Sequence, residues 1–127
     1  MNVALDTNAY SDFLRGVPAR VEIVRRADRI HLPLIVLGEL RAGFAAGSRE
    51  VENLATLQQF LASPRVSVLL PDETTAGHYA RIFLQLRQQG AAIPTNDLWI
   101  AALVIQHGLE LCSSDAHFRH VAGLRLC

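Results

Sequence analysis

The sequence predicts an α/β domain, with a mostly parallel central sheet of four to five strands and helices on both faces. Three observations lead there. Short apolar runs of the kind found in central parallel strands alternate with longer segments of helical periodicity. No repeat, low-complexity tract or long linker divides the 127 residues, so residues 1–127 read as one domain. Half the residues are apolar, enough for an ordinary core at this chain length.

Val3-Ala4-Leu5 is the first apolar run, and it ends at Asp6. The polar stretch Thr7 to Asp12 leads into a helix that closes at Arg15-Gly16, and Pro18 opens a second that runs to about Asp28. Ile30 to Val36 reads as the second strand, with Pro33 arguing for a bend or an early end. Leu37 to Ala46 is helical and closed by Gly47. Ser48 is the expected cap of a helix to about Ala62, its inner side carrying Val51, Leu54, Ala55, Leu57 and Leu61. Val66 to Leu70 gives a third strand. Asp72 caps a long helix with Glu73 in its first turn, and Gly90 ends it. Thr95 is the expected cap of a helix ending at Gly108, with Leu98, Ala101, Ala102 and Ile105 on its buried face. Leu109 to Cys112 is a fourth strand, and Leu124 to Cys127 a candidate fifth.

Formal net charge is zero, so no global basic field marks a nucleic-acid binder. All 12 basic residues are arginine; the missing lysine fits GC-rich codon usage and excludes any mechanism that needs one. No apolar run approaches the roughly 20 residues needed to span a bilayer. The first residues show no export signal, so the cytoplasm is the expected compartment. Cys112 and Cys127 could pair, but in that compartment they read as small buried apolar residues.

Four acids stand out. Asp97 lies beside the apolar side of its helix, where an ion costs several kcal/mol unless compensated; the helix dipole offers roughly 0.3–1 kcal/mol. Glu39 has Ile35, Val36, Ala42 and Gly43 as helical neighbours, so it points into packed surroundings unless an arginine such as Arg41 or Arg15 pairs with it. Asp6 and Asp115 each fall just past a strand's carboxyl end, where the working crevice of such folds lies, and each could also be a simple turn or cap residue. Two like charges ~4 Å apart repel by about 4 kcal/mol at an effective dielectric of 20. A cluster of four therefore requires protons or cations, and oxygen-only ligands favour Mg²⁺ or Mn²⁺ over zinc. Carboxylate-held divalent ions are the apparatus for in-line attack on a phosphodiester.

Asp6-Thr7-Asn8, Glu39-Leu40, Asp97 followed by Leu98-Trp99-Ile100-Ala101-Ala102, and Ser113-Ser114-Asp115 with Phe118 resemble the PIN domain, and more narrowly the VapC-like ribonuclease toxins of bacterial toxin–antitoxin pairs. The resemblance spans nearly the whole chain and rests on order and spacing, since no single motif is specific. It implies a three-layer α/β nuclease in which Asp6, Glu39, Asp97 and Asp115 hold Mg²⁺ or Mn²⁺. Asn8 and Ser113 fall where that family places polar residues that orient the acids or contact the scissile phosphate. Ser113 stands for the more usual threonine, and Trp99 for an aliphatic. The resemblance further implies endoribonuclease activity leaving 5′-phosphate and 3′-hydroxyl ends, a homodimer, and a cognate antitoxin whose tail fills the groove, with larger toxin–antitoxin assemblies open.

Other residues read more plainly. His117 is expected to be structural or exposed at the rim, Phe118 to be core, and Arg15, Arg41 and Arg87 to lie on solvated helix faces. Tyr10 is equally suited to packing or to stacking on a base. The competing functions are a catalytically silent partner that keeps the fold, a phospho-acceptor domain, and an acidic-pocket phosphatase. The second and third want a lysine that this chain lacks, and the phosphatase also wants an acid where Asn8 stands.

Overall fold

The computed structural model describes residues 1–127. The elements run β1 (Asn2–Leu5), α1 (Thr7–Leu14), α2 (Pro18–Arg26), β2 (Arg29–Pro33), α3 (Leu34–Ala46), α4 (Glu50–Leu61), β3 (Val66–Leu69), α5 (Glu73–Gln88), α6 (Thr95–Gln106), β4 (Glu110–Cys112) and β5 (Arg125–Leu126), with a short 3-10 turn at Ala116–His120. All five strands are parallel, in the order β3-β2-β1-β4-β5. From β1 the chain adds β2 and β3 outward on one side, then crosses to β4 and β5 on the other. Right-handed crossovers place helices on opposite faces before and after that reversal, which produces three layers. The reversal lies between β1 and β4, and at such a switch point a crevice opens outside the strands' carboxyl ends.

The core is one cluster of 26 buried residues, and β1 supplies its centre: Val3, Ala4 and Leu5 are buried on both faces of the sheet. Helix α6 is buried almost all round, from Leu98 through Ile100, Ala101, Ala102, Leu103 and Val104, because it lies between α5, α3 and β4. That exceeds the one-sided face its periodicity predicts. Phe118 is core, as expected. Tyr10 is buried too, edge-on to Phe60 with ring centroids 5.3 Å apart, so packing and not base stacking accounts for it.

Several element ends differ from the sequence reading. Helix α6 is preceded by Pro94, with Thr95 already helical, and no side chain caps its first turn. Ser48 does not cap α4. The flanking residue is Arg49, whose guanidinium instead pairs with Glu52 at 2.6 Å. On α4 only Leu57 is fully buried, while Val51 is 81% exposed. Strand β2 stops at Pro33, which cannot extend the ladder, and α3 begins at Leu34, so β-branched Ile35 and Val36 are helical. By contrast, Asp72 caps α5 through a reciprocal pair of bonds with Thr75, and Gly90 and Gly108 turn the chain with φ of +68° and +63°.

The cysteines need correction: Cys112 and Cys127 form a disulfide with their Cα atoms 5.0 Å apart. Cys112 is fully buried, but Cys127 is exposed. The cause is register. Leu111 aligns with Leu126 across β4 and β5, so the next residue on each strand falls side by side.

Candidate active site

The sheet register builds the first half of the site. Leu5 of β1 aligns with Cys112 of β4, so Asp6 and Ser113 emerge together at the switch point. The Ser113 hydroxyl donates a short hydrogen bond to Asp6 Oδ2, and its oxygen accepts from the Asp115 N–H at 3.0 Å. Asp6 also caps α1, accepting from Ala9 N–H at 2.8 Å, and Asp115 caps the 3-10 turn, accepting from His117 N–H at 2.9 Å. Both acids are thus cap residues and site residues at once, because a strand's carboxyl end leads here directly into a helical start.

The second half comes from α3 and α6. Glu39 accepts from Thr7 Oγ1 at 2.8 Å and, at the long limit of 3.5 Å, from Asn96 Nδ2. It forms no ion pair with Arg15 or Arg41. Asp97 faces His117, whose Nδ1 lies 3.1 Å from Asp97 Oδ2 and 3.0 Å from Asp115 Oδ1. A closed circuit results: Glu39 to Thr7, its neighbour Asp6 to Ser113, on to Asp115, through His117 to Asp97, and by Asn96 back to Glu39. The circuit links acids from four separated stretches through these hydrogen bonds and through the chain neighbours Asp6–Thr7 and Asn96–Asp97.

Electrostatics match that convergence. Burial pushes Asp6 above the ordinary carboxylate range. The Ser113 hydroxyl, the Ala9 N–H and the positive charge of Arg20 act the other way, and the charge of Asp115 adds to the rise. Burial also raises Asp97. The hydrogen bond from His117 opposes this, and the charges of Asp115 and Glu39 reinforce it. Asp6 and Asp97 are therefore both partly desolvated, and both feel the charge of Asp115.

Asn8 is exposed on the first turn of α1 and makes no side-chain hydrogen bond, so nothing in its contacts ties it to the acids. Sequence reasoning missed Thr7, Asn96, Arg20 and the placement of His117. Arg20, on α2, is buried and donates to Ser114 Oγ at 2.7 Å, steadying the loop between Ser113 and Asp115. A polar residue beside each acid was the available signal for Thr7 and Asn96; Arg20, far away in sequence, gave none. Arg41 and Arg87 are exposed, and exposed Arg15 pairs with Asp12 on its own helix.

A divalent cation suits this donor set. One donor atom each from Asp97, Asp115 and His117 lies within 4.8 Å of the others, and Asp6 and Asp97 are partly desolvated acids, raised first by burial, whose charged forms a cation would stabilise. A mostly apolar groove of about 300 Å³ lies elsewhere, between α5 and α6, with Tyr79, Phe83 and Ile93 among its walls.

Known proteins agree with this architecture. Ribonuclease VapC1 of Haemophilus influenzae strain R2866 is 35% identical over 111 residues, covering 84% of this chain and 78% of that protein. Ribonuclease VapC5 of Mycobacterium tuberculosis is 31% identical over 99 residues, covering 76% and 71%. The structure of VapBC-1 from nontypeable Haemophilus influenzae superposes with a TM-score of 0.87 at 26% identity, over 100% of this chain and 97% of that one. The PIN domain profile itself matches residues 3–124. With that span of sequence and this arrangement of strands and acids, the chain belongs to the PIN domain family.

Proposed function

We propose that this protein is an endoribonuclease toxin that hydrolyses RNA phosphodiester bonds and is neutralised by a cognate antitoxin. The names of its relatives support the substrate and the partner, since they include ribonucleases and a member of the VapBC family of toxin–antitoxin systems. The observation that carries the chemistry is the hydrogen-bonded circuit around Asp6, Glu39, Asp97 and Asp115.

In this reading residues 1–127 act as one nuclease domain, and those four acids hold Mg²⁺ or Mn²⁺. A cation held by these acids would supply a water of lowered pKa and neutralisation of the charge that develops on phosphate. Ser113 holds Asp6 and the Asp115 loop in register, Thr7 aims Glu39, and Asn8 faces solvent where an RNA phosphate would arrive. Products carry 5′-phosphate and 3′-hydroxyl ends. The working form is a homodimer in the cytoplasm, alone or within a larger complex with the antitoxin. No helix is long and apolar enough to cross a membrane.

The test is RNA cleavage by the purified chain with Mg²⁺ or Mn²⁺, with and without EDTA, alongside Asp6→Asn and Asp97→Asn. Cleavage should need the cation and vanish in both variants while their folds persist. Wild-type rates in either variant, or cleavage unaffected by EDTA, refute the assignment. A chain that folds and binds RNA but never cuts it would instead be a silent binding protein.

A further inference from the structure

His117 enters the site from the 3-10 turn, two residues past Asp115, with its side chain 46% exposed. Its single Nδ1 stands 3.0 Å from Asp115 Oδ1 and 3.1 Å from Asp97 Oδ2. A neutral imidazole carries one N–H, so a proton on Nδ1 can serve one of these acceptors well and the other poorly. Two carboxylates converging on one ring nitrogen are thus an imperfect hydrogen-bonding arrangement.

The same spacing suits a shared ion. Adjacent ligands of an octahedral cation with bonds of about 2.1 Å stand about 3.0 Å apart, and opposite ligands about 4.2 Å. Both nitrogen–oxygen separations match the adjacent spacing, and all three donors lie within 4.8 Å of one another, so that the two carboxylates would need only to close by about half an ångström to share one ion. The backbone favours it too: the His117 N–H donates to Asp115 Oδ1 at 2.9 Å, which holds that carboxylate against the turn from which the ring projects.

We propose that His117 is a nitrogen ligand to the divalent cation held by Asp97 and Asp115, which makes the centre a mixed nitrogen–oxygen site that takes Mn²⁺ in preference to Mg²⁺. This rests on the metal-dependent reading above. Imidazole suits transition ions, whereas Mg²⁺ prefers oxygen and keeps its waters. A group read from sequence as a rim residue thereby sets which ion the site selects.

The test uses the full chain without RNA. Mn²⁺ bound to the wild type should show ¹⁴N hyperfine coupling by pulsed EPR. The coupling should disappear in His117→Ala and persist in His120→Ala, an exposed histidine on the same turn. Mn²⁺ affinity should fall at least tenfold in His117→Ala, and Mg²⁺ affinity by less than twofold. His117→Gln, which offers an oxygen in place of nitrogen, should bind Mn²⁺ without the coupling. Melting curves in EDTA establish that each variant is folded. Mn²⁺ bound to the wild type without nitrogen coupling, and equally tightly in His117→Ala, overturns the ligand role and leaves the nuclease reading intact. If the wild type binds neither ion at millimolar concentration, both fail.

Discussion

The Cys112–Cys127 bridge offers the most quantitative prediction. It closes a loop with a sequence separation of 15, and that loop contains Ser113, Asp115 and His117. In the chain-entropy treatment, cross-linking a loop of this length removes about 10 cal/mol/K from the unfolded ensemble, or about 3 kcal/mol at 25 °C. Strand β5 has only two residues, both exposed, and apart from the bridge this end is secured by Leu124 packed on the core, the Cys127 N–H to Leu111 bond at 3.0 Å and the Arg125 guanidinium on the Gly108 carbonyl at 2.6 Å. Cys127→Ser is the cleaner perturbation, because Cys112 is fully buried and a hydroxyl there would add its own cost. Urea unfolding under non-reducing conditions should show the variant about 3 kcal/mol less stable than the oxidised wild type. That corresponds to a melting temperature lower by about 10 °C for a domain of this size. Dithiothreitol should bring the wild type down to the variant and leave the variant unchanged. A variant within about 0.5 kcal/mol of the oxidised wild type, or one as sensitive to reductant as the wild type, would refute the reasoning.

Three further predictions concern the acids and their supports. Asp97→Asn should raise the melting temperature of the metal-free protein at pH 7. A folded-state pKa above the ordinary value means that stability is fully present below that value and lost as pH rises through the raised one, so the gain should shrink to nothing near pH 3.5. An identical melting temperature at pH 7 would show that Asp97 is not under electrostatic strain. Ser113→Ala removes a charge-assisted bond to Asp6 and a bond from the Asp115 N–H, worth about 2–4 kcal/mol together; urea unfolding that shifts by less than about 0.5 kcal/mol contradicts the geometry. Asp72 is held below the ordinary carboxylate range by the Thr75 N–H and the Gln106 amide, so its contribution is present above that range and lost as pH falls through the lowered pKa. Melts of Asp72→Ala from pH 7 to pH 2 should show a smaller acid-induced loss than the wild type; equal losses count against it.

What the residues disclosed in advance divides along physical lines. Local signals worked where one residue settles local geometry: Asp72 as a cap, Pro33 as a strand end, Gly90 and Gly108 as turns. Asp6 and Asp115 were legible because each falls just past the carboxyl end of an apolar run, Asp6 directly and Asp115 after two serines, and the parallel sheet places such positions at the crevice. Facts that depend on which strands are neighbours were out of reach. The disulfide needed the alignment of Leu111 with Leu126, and the position of His117 needed α6 packed over the 3-10 turn. Thr95 misled for a local reason: Pro94 supplies the extended residue before the helix, so the favourable capping side chain falls one position late. Asn8, singled out by resemblance alone, makes no contact from which its role could be deduced.

The central position of β1 has a consequence for synthesis. Strand β1 cannot complete its hydrogen bonding until residues 110–112 arrive, and the pocket lacks Ser113 and Asp115 until the residues after β4 follow. A growing chain can collapse around β1, β2 and β3 long before it can cut anything. The sheet can thus be more than half built while its site is still open, because Ser113 and Asp115 lie beyond β4, the strand that completes the pairing of β1.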